Sequence, residues 1–334
     1  MELILNYEEE NKQKNLLYLA KPIYGGWVTF TAHLSKKYDW PIYKITKKTE
    51  KNKRDYGYDC QYHNLCLAKV LALDNILITA VDKHYWPFLH LFPKDTEIVI
   101  HDPTECKSSK SENPLIQGLN PVLPNFKVIT IRESVQNYLS QTFQIDSKYL
   151  RHPFYNYPKS TKKGLGYNAV CISRIDFDKN TDIILKANQL IKDKKNQIYL
   201  FGAENRIYVH HKLNKLNIGE FWKGKFPKNL EPTYEDKSIL KDAKYMVDMS
   251  IIKGDGGGTQ YTFLEAIYQD CVLVLHEEWA NKGSLFVSGV NCIVVSNEEE
   301  LAKVMNVGIP EELYDIILQN SKKIIEDHLV VDWF

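Results

Sequence analysis

Residues 245–275 read YMVDMSIIKGDGGGTQYTFLEAIYQDCVLVL. Tyr245–Asp248 is a short apolar run, glycines interrupt the chain at 256, 257 and 258, Thr262–Tyr268 carries helical periodicity, and Val272–Leu275 is a second apolar run. Strand, glycine loop, helix and strand in that order predict a parallel crossover unit, because parallel neighbours need a covering element to bring the chain back. The glycines let backbone lie against a ligand, and the helix start offers N–H groups to phosphates. Gly256, Gly257, Gly258 and Thr259 are therefore candidate phosphate-lining residues. Glu265, about a turn and a half into the helix, is placed to accept hydrogen bonds from ribose hydroxyls. A glycine loop that is merely flexible is the alternative.

The same alternation extends in both directions. Downstream of a proline- and lysine-bearing stretch, Asn168–Ser173, Gln197–Phe201 and Asn291–Val295 read as further strands, with Asp182–Lys192 as a helix. Upstream, Leu16–Ala20, Ile76–Ala80, Ile98–Ile100 and Val128–Ile131 read as strands that end at polar or glycine-containing turns. The expected class is α/β with two doubly wound, Rossmann-like domains facing a cleft. A chain of 334 residues exceeds what one core usually organises, which agrees with two units. The expected division is 1–155, then 165–315, with the linker around 152–167 and an amphipathic C-terminal segment at 316–334 that crosses back to the first domain.

Forty-three Lys and Arg against 42 Asp and Glu leave a net charge of +1, so a polyanion would have to be met by a local patch. The six cysteines show no C-x-x-C spacing and are too sparse for a disulfide scaffold, so reduced thiols are expected. The first residues are acidic where a secretory signal needs an apolar core, and no apolar run approaches the roughly 18 residues of a membrane span. A cytoplasmic protein with no integral membrane association is expected.

Three further loops carry chemistry. Gly25 and Gly26 follow the strand at 16–20 and precede a helix over Trp27–Lys36, a place where backbone can approach a phosphate or sugar, or simply turn tightly. His101 and Asp102 end the strand Ile98–Ile100, and Pro103 stops an immediate helix. They present an imidazole able to donate to a hydroxyl and a carboxylate able to orient it, or else a cap and a half-buried ring. Arg174 and Lys179 follow a buried strand and precede a helix start, where two cations suit a diphosphate leaving group without a metal. A surface cluster with Asp176 and Asp178 is the alternative for that pair.

In this order the four motifs resemble the GT-B type retaining glycosyltransferases with two Rossmann domains (family 4-like), over nearly the whole chain. The resemblance implies transfer of a sugar from a nucleotide diphosphate, most readily a UDP-sugar, to a hydroxyl, with no metal and no other cofactor. It implies that Arg174 and Lys179 hold the diphosphate and that Glu265 holds the ribose. His101 and Asp102 would face the sugar and acceptor, and Gly25 and Gly26 would complete the donor site. The family often has a glutamate eight residues before the one matching Glu265. Gly257 stands there, and Asp255 is a possible replacement from a shifted loop.

A narrower resemblance is to the phage DNA α-glucosyltransferases, through Gly25-Gly26-Trp27-Val28-Thr29 and His101-Asp102. Residues 36–54 hold eight Lys/Arg against two Asp/Glu, interleaved with Tyr38, Trp40 and Tyr43, a pattern that suits phosphate contacts with stacking. Lys47, Lys48, Lys51, Lys53 and Arg54 are the candidate acceptor-binding residues, with a solvated lysine loop as the alternative. A hydroxylated (5-hydroxymethylcytosine-like) base in phage DNA is thus the expected acceptor, in the host cytoplasm if the protein is viral. A cell-surface or lipid-linked glycan is the second reading, and a non-catalytic nucleotide-sugar-binding module the third.

Overall fold

Runs such as Leu16–Leu19, Ile76–Val81 and Val272–His276 are buried along their whole length. A strand can be apolar on both faces only when helices cover both sides of its sheet. That is the arrangement found in the computed structural model, which describes residues 13–22, 25–45, 58, 60–94, 96–106, 122–225, 229–251, 257–283 and 285–334.

The first sheet contains β1 (Asn15–Leu19), β2 (Ile42–Ile45), β3 (Tyr62–Leu65), β4 (Ile76–Val81), β5 (Glu97–Ile100), β6 (Lys127–Thr130) and β7 (Lys148–Tyr149). Its order is 3-2-1-4-5-6-7, and every pairing is parallel. Its helices are α1 (Gly26–Tyr38), α2 (Leu67–Val70) and α3 (Glu133–Phe143).

The second sheet contains β8 (Ala169–Ile172), β9 (Ile198–Phe201), β10 (Trp222–Gly224), β13 (Tyr245–Asp248), β14 (Val272–His276) and β15 (Ile293–Val295); between β10 and β13 lies a small antiparallel pair, β11 (Thr233–Tyr234) and β12 (Lys237–Ser238). The order 10-9-8-13-14-15 is also all parallel. It is flanked by α4 (Thr181–Leu190), α5 (Arg206–Lys212), α6 (Ile218–Phe221), α7 (Tyr261–Tyr268), α8 (Glu277–Ala280) and α9 (Glu298–Val307), followed by α10 (Glu311–Val330).

Counted from its own first strand, each sheet begins 3-2-1-4-5-6. The order reverses beside β1 and again beside β8, and in such sheets ligands bind outside the strand C-termini at that switch. Besides the small β11–β12 pair, four short strands, β2, β3, β7 and β10, were not expected from the sequence. They lie toward the sheet edges, where partial exposure admits polar residues such as His63 and Asn64 into β3; in β2 the polar Lys44 is buried, its Nζ donating to Ala20 O at 3.0 Å.

Apolar packing is continuous between the sheets: one buried cluster contains Leu16, Tyr18 and Phe30 together with Val170, Leu264 and Leu273. The end of α10 and the chain after it lie against the first half. Lys37 Nζ donates to Leu329 O at 2.6 Å and Val331 O at 2.9 Å. Trp333, fully buried, donates from Nε1 to Arg151 O at 3.1 Å and meets Phe30 edge-on.

These contacts correct one part of the sequence reading. Tyr38 stacks on Trp40 with ring centres 4.5 Å apart, and Phe334 packs against both. Trp40 is 2% exposed. Its ring serves the fold and is not presented for stacking on an acceptor. Lys47, Lys48, Lys51, Lys53 and Arg54 lie outside the described residues.

Candidate active site

The loop after β8 is shaped by short-range hydrogen bonds. Asp176 accepts from the Phe177 N–H and caps the 3-10 turn Phe177–Lys179. Asn180 then takes a left-handed conformation (φ 43°) and anchors it by donating from Nδ2 to Met249 O. The Ile251 N–H donates to Asp178 O, so this loop is fastened to the one after β13. Lys179 is buried by these connections, and its Nζ donates to Ser250 Oγ at 2.8 Å and to Gln260 Oε1 at 3.5 Å. Lys179 therefore stands at the switch between β8 and β13.

Arg174 is placed differently. Its guanidinium bridges Asp176 and Asp178, each at 2.9 Å, and its side chain is 53% exposed. In this state Arg174 lies in the surface cluster that the sequence offered as the alternative. Lys179 alone of the pair is held inside.

Gly257 (φ 79°) and Gly258 (φ 97°) both occupy backbone conformations that other residues rarely adopt. Trp279 Nε1 donates to Gly258 O, and a side chain at 258 would meet Arg132 from the first half. Thr259 Oγ1 lies 3.2 Å from His152 Nδ1, and the Tyr261 hydroxyl donates to Pro153 O. The Tyr261 ring stacks on His33 at 4.6 Å. The glycine loop and the start of α7 thus touch the first half through side chains far away in sequence. Asp255 and Gly256 lie outside the described residues.

Glu265 is 5% exposed, and burial holds its carboxyl well above the usual carboxylate range. Among the described residues it makes no side-chain hydrogen bond. It is near enough to raise Tyr58, Tyr157 and Tyr261 electrostatically, so an ionised Glu265 would face phenols from both halves. A neutral acid at this position can donate a hydrogen bond as well as accept one.

In the first half, Gly25 (φ 100°) follows β1, and among the described residues neither it nor Gly26 has a heavy atom within 4 Å of where a Cβ would project. The described residues therefore leave space beside the first turn of α1. His101 is buried at the end of β5, its Nε2 2.7 Å from Thr79 O. A carbonyl only accepts, so Nε2 carries the proton. Burial draws the ring down to about 4, so it is neutral at pH 7 and Nδ1 is an acceptor. The expected donor role of His101 toward a hydroxyl becomes an accepting one.

Glu105, unremarked in the sequence, joins the two loops. Its carboxylate accepts from Trp27 Nε1 at 2.9 Å and from the His101 N–H at 3.1 Å. Burial and then the neighbouring Asp102 carboxylate raise it well above the carboxylate range. The residues that sequence reasoning missed (Glu105, His152, Ser250, Gln260) act through contacts between distant segments, and only the glycine loop's neighbourhood hinted at Gln260. Among the described residues, no group of three or more His, Cys, Asp or Glu is arranged to hold a metal ion, and no helix is long and apolar enough to cross a membrane.

No protein-family model matches the chain, and no curated protein matches it in sequence. Solved structures do resemble it. HepE of Anabaena, in complex with UDP and glucose, superposes with a TM-score of 0.63 at 15% identity, covering 95% of each chain. An α-glucosyltransferase in complex with UDP and a 13-mer DNA containing an HMU base gives 0.64 at 12% identity, over 94% of this chain and 95% of that one. WaaG, a glycosyltransferase involved in lipopolysaccharide biosynthesis, gives 0.60 at 11% identity over 93% and 95%. With the strand orders described above, these likenesses show an α/β fold of GT-B architecture.

Proposed function

We propose that the chain is a retaining glycosyltransferase that moves a sugar from a UDP-sugar to a hydroxyl, without a metal, and that its preferred acceptor is a hydroxylated base in DNA. The observation that carries the transferase reading is Lys179, held by Ser250 and Gln260 where the second sheet's strand order reverses and the glycine loop begins. A buried cation at a helix start stabilises charge that develops on a departing diphosphate far better than one in water.

In this reading residues 165–315 hold the nucleotide and residues 1–155 receive the acceptor. The sugar's bond to the diphosphate oxygen breaks while a bond to the acceptor oxygen forms on the same face. The acceptor proton passes to the departing phosphate oxygen. Lys179 takes up the growing phosphate charge, and Arg174 leaves its aspartates to join it. Gly256, Gly257, Gly258 and Thr259 line the phosphates, Asp255 takes the place of the family's sugar-contacting glutamate, and the neutral Glu265 carboxyl meets a ribose hydroxyl. The His101 Nδ1 accepts from a hydroxyl of the transferred sugar, beside Asp102 and the open backbone at Gly25 and Gly26.

The DNA acceptor is supported by the surplus of six positive charges over residues 36–54, with Lys47, Lys48, Lys51, Lys53 and Arg54 as phosphate contacts. A glycan acceptor is the second reading, favoured by the engagement of Lys37, Tyr38 and Trp40 with the C-terminal segment. Incubation with UDP-sugars and either hydroxymethylated DNA or glycan extracts separates the two. Transfer to the DNA is expected; transfer to glycan alone moves the acceptor assignment. UDP binding with neither transfer nor slow donor hydrolysis would make the protein a binding module, as Gly257 in place of the family's glutamate would permit.

A further inference from the structure

Gln260 ends the glycine loop immediately before α7 and makes no side-chain cap to it. Its Oε1 faces Lys179 Nζ at 3.5 Å, while its Nε2 is buried and meets no hydrogen-bond partner among the described residues. A lysine ammonium only donates, so the amide oxygen turns toward it and the NH2 group turns away. Lys179 is itself positioned by Ser250 Oγ at 2.8 Å, so the cation sets which way the amide faces. Buried donors in folded proteins have acceptors, and an exception at a binding site marks where one arrives.

The surroundings say what kind of acceptor fits. Among the described residues Lys179 has no carboxylate partner, so a positive charge and an unpaired NH2 group stand side by side. The N–H groups of Tyr261 and Thr262, in the first turn of α7, have no acceptor within the helix. An anion with several oxygens satisfies all of these donors at once, whereas a sugar hydroxyl accepts from two at most.

We infer that the Gln260 Nε2–H group is a neutral donor to the diphosphate of the bound nucleotide sugar, set beside the Lys179 cation, and that it favours a diphosphate over a monophosphate. The inference rests on the donor reading above and adds the group that senses the second phosphate. Its neutrality matters: a third cation beside Lys179 and Arg174 would hold the diphosphate more tightly after transfer, while an amide orients it and lets it depart.

Calorimetric titration of the full chain with UDP and with UMP tests this. Wild type is expected to bind UDP more tightly than UMP. Gln260→Met keeps the length of the side chain and removes the NH2 group. It is expected to weaken UDP binding about tenfold and leave UMP binding unchanged. Gln260→Glu, nearly isosteric with the native residue, puts a carboxylate beside Lys179 and is expected to weaken UDP further. It keeps the test decisive if the methionine variant packs poorly. Equal losses for UDP and UMP, or no loss in either variant at unchanged melting temperature, would overturn the role of Gln260 while leaving UDP binding in place. A wild type that binds neither nucleotide overturns the donor reading itself, and the role of Gln260 with it.

Discussion

Lys179 and Arg174 occupy the same loop and differ in what surrounds them. Lys179 is enclosed with Ser250 and Gln260, so Lys179→Ala should lower turnover on the order of 10²-fold, the cost of removing one preorganised electrostatic stabiliser. Arg174→Ala should also lower turnover. Asp176→Asn with Asp178→Asn, which frees the guanidinium from two ion pairs, should leave more of it than Arg174→Ala does. Steady-state rates of sugar transfer check both. Glu265 gives a prediction on stability. Its carboxyl is protonated in the fold and ionised in the unfolded chain above pH 4.5, so the fold binds more protons and loses stability as pH rises from 4.5 toward the elevated folded value. Glu265→Gln removes that dependence, and its urea midpoint should exceed that of wild type at pH 7 and converge with it near pH 4. The residue types at these sites were legible in the sequence, since Lys179 and Glu265 stand out beside a helix start and a glycine loop. Their protonation and partners were not, because burial and the faces of neighbouring segments set them.

Elements were readable where both faces of a strand are buried. Tyr245–Asp248 coincides with β13, and β1, β4, β8 and β14 agree within a residue or two at their ends, because a strand covered on both sides is written as an unbroken apolar run. Edge strands such as Tyr62–Leu65 lack that mark. The glycine loop is the element on which the site turns. An alanine at 257 would combine a positive φ with Cβ contacts of 3.0 Å to Trp279 O and 3.2 Å to Lys282 Cβ. Gly257→Ala should cost about 1–2 kcal/mol in a denaturant titration and weaken UDP binding, since the backbone conformation itself is disfavoured for an L-residue. Unchanged stability and affinity would mean that the loop has another conformation available.

At the scale of the molecule, four buried histidines lie where the two halves meet. Burial draws His33 down to about 3 and His101 and His328 to about 4, and holds His152 well below its usual value. The fold keeps each neutral, so the stability they permit is fully present above about pH 6.5 and is lost as pH falls toward 4, because the unfolded chain binds more protons there. Urea midpoints should drop steeply below pH 6.5, and His328→Gln should shallow that slope by roughly 1 kcal/mol per pH unit. Trp333 ties the C-terminal segment to Arg151 and Phe30, so Trp333→Ala should cost about 3–5 kcal/mol and show as a lowered melting temperature. By itself the sequence determined the class, the alternation of strand and helix, and the loops that carry cations, glycines and an acid, because these follow from local periodicity and the conformational demands of single residues. The tertiary structure decided that Lys179 is enclosed while Arg174 faces its aspartates, that His101 accepts, and that Trp40 belongs to the core. Each of those outcomes depends on which distant segment supplies the neighbouring atoms, and a linear pattern carries no term for that.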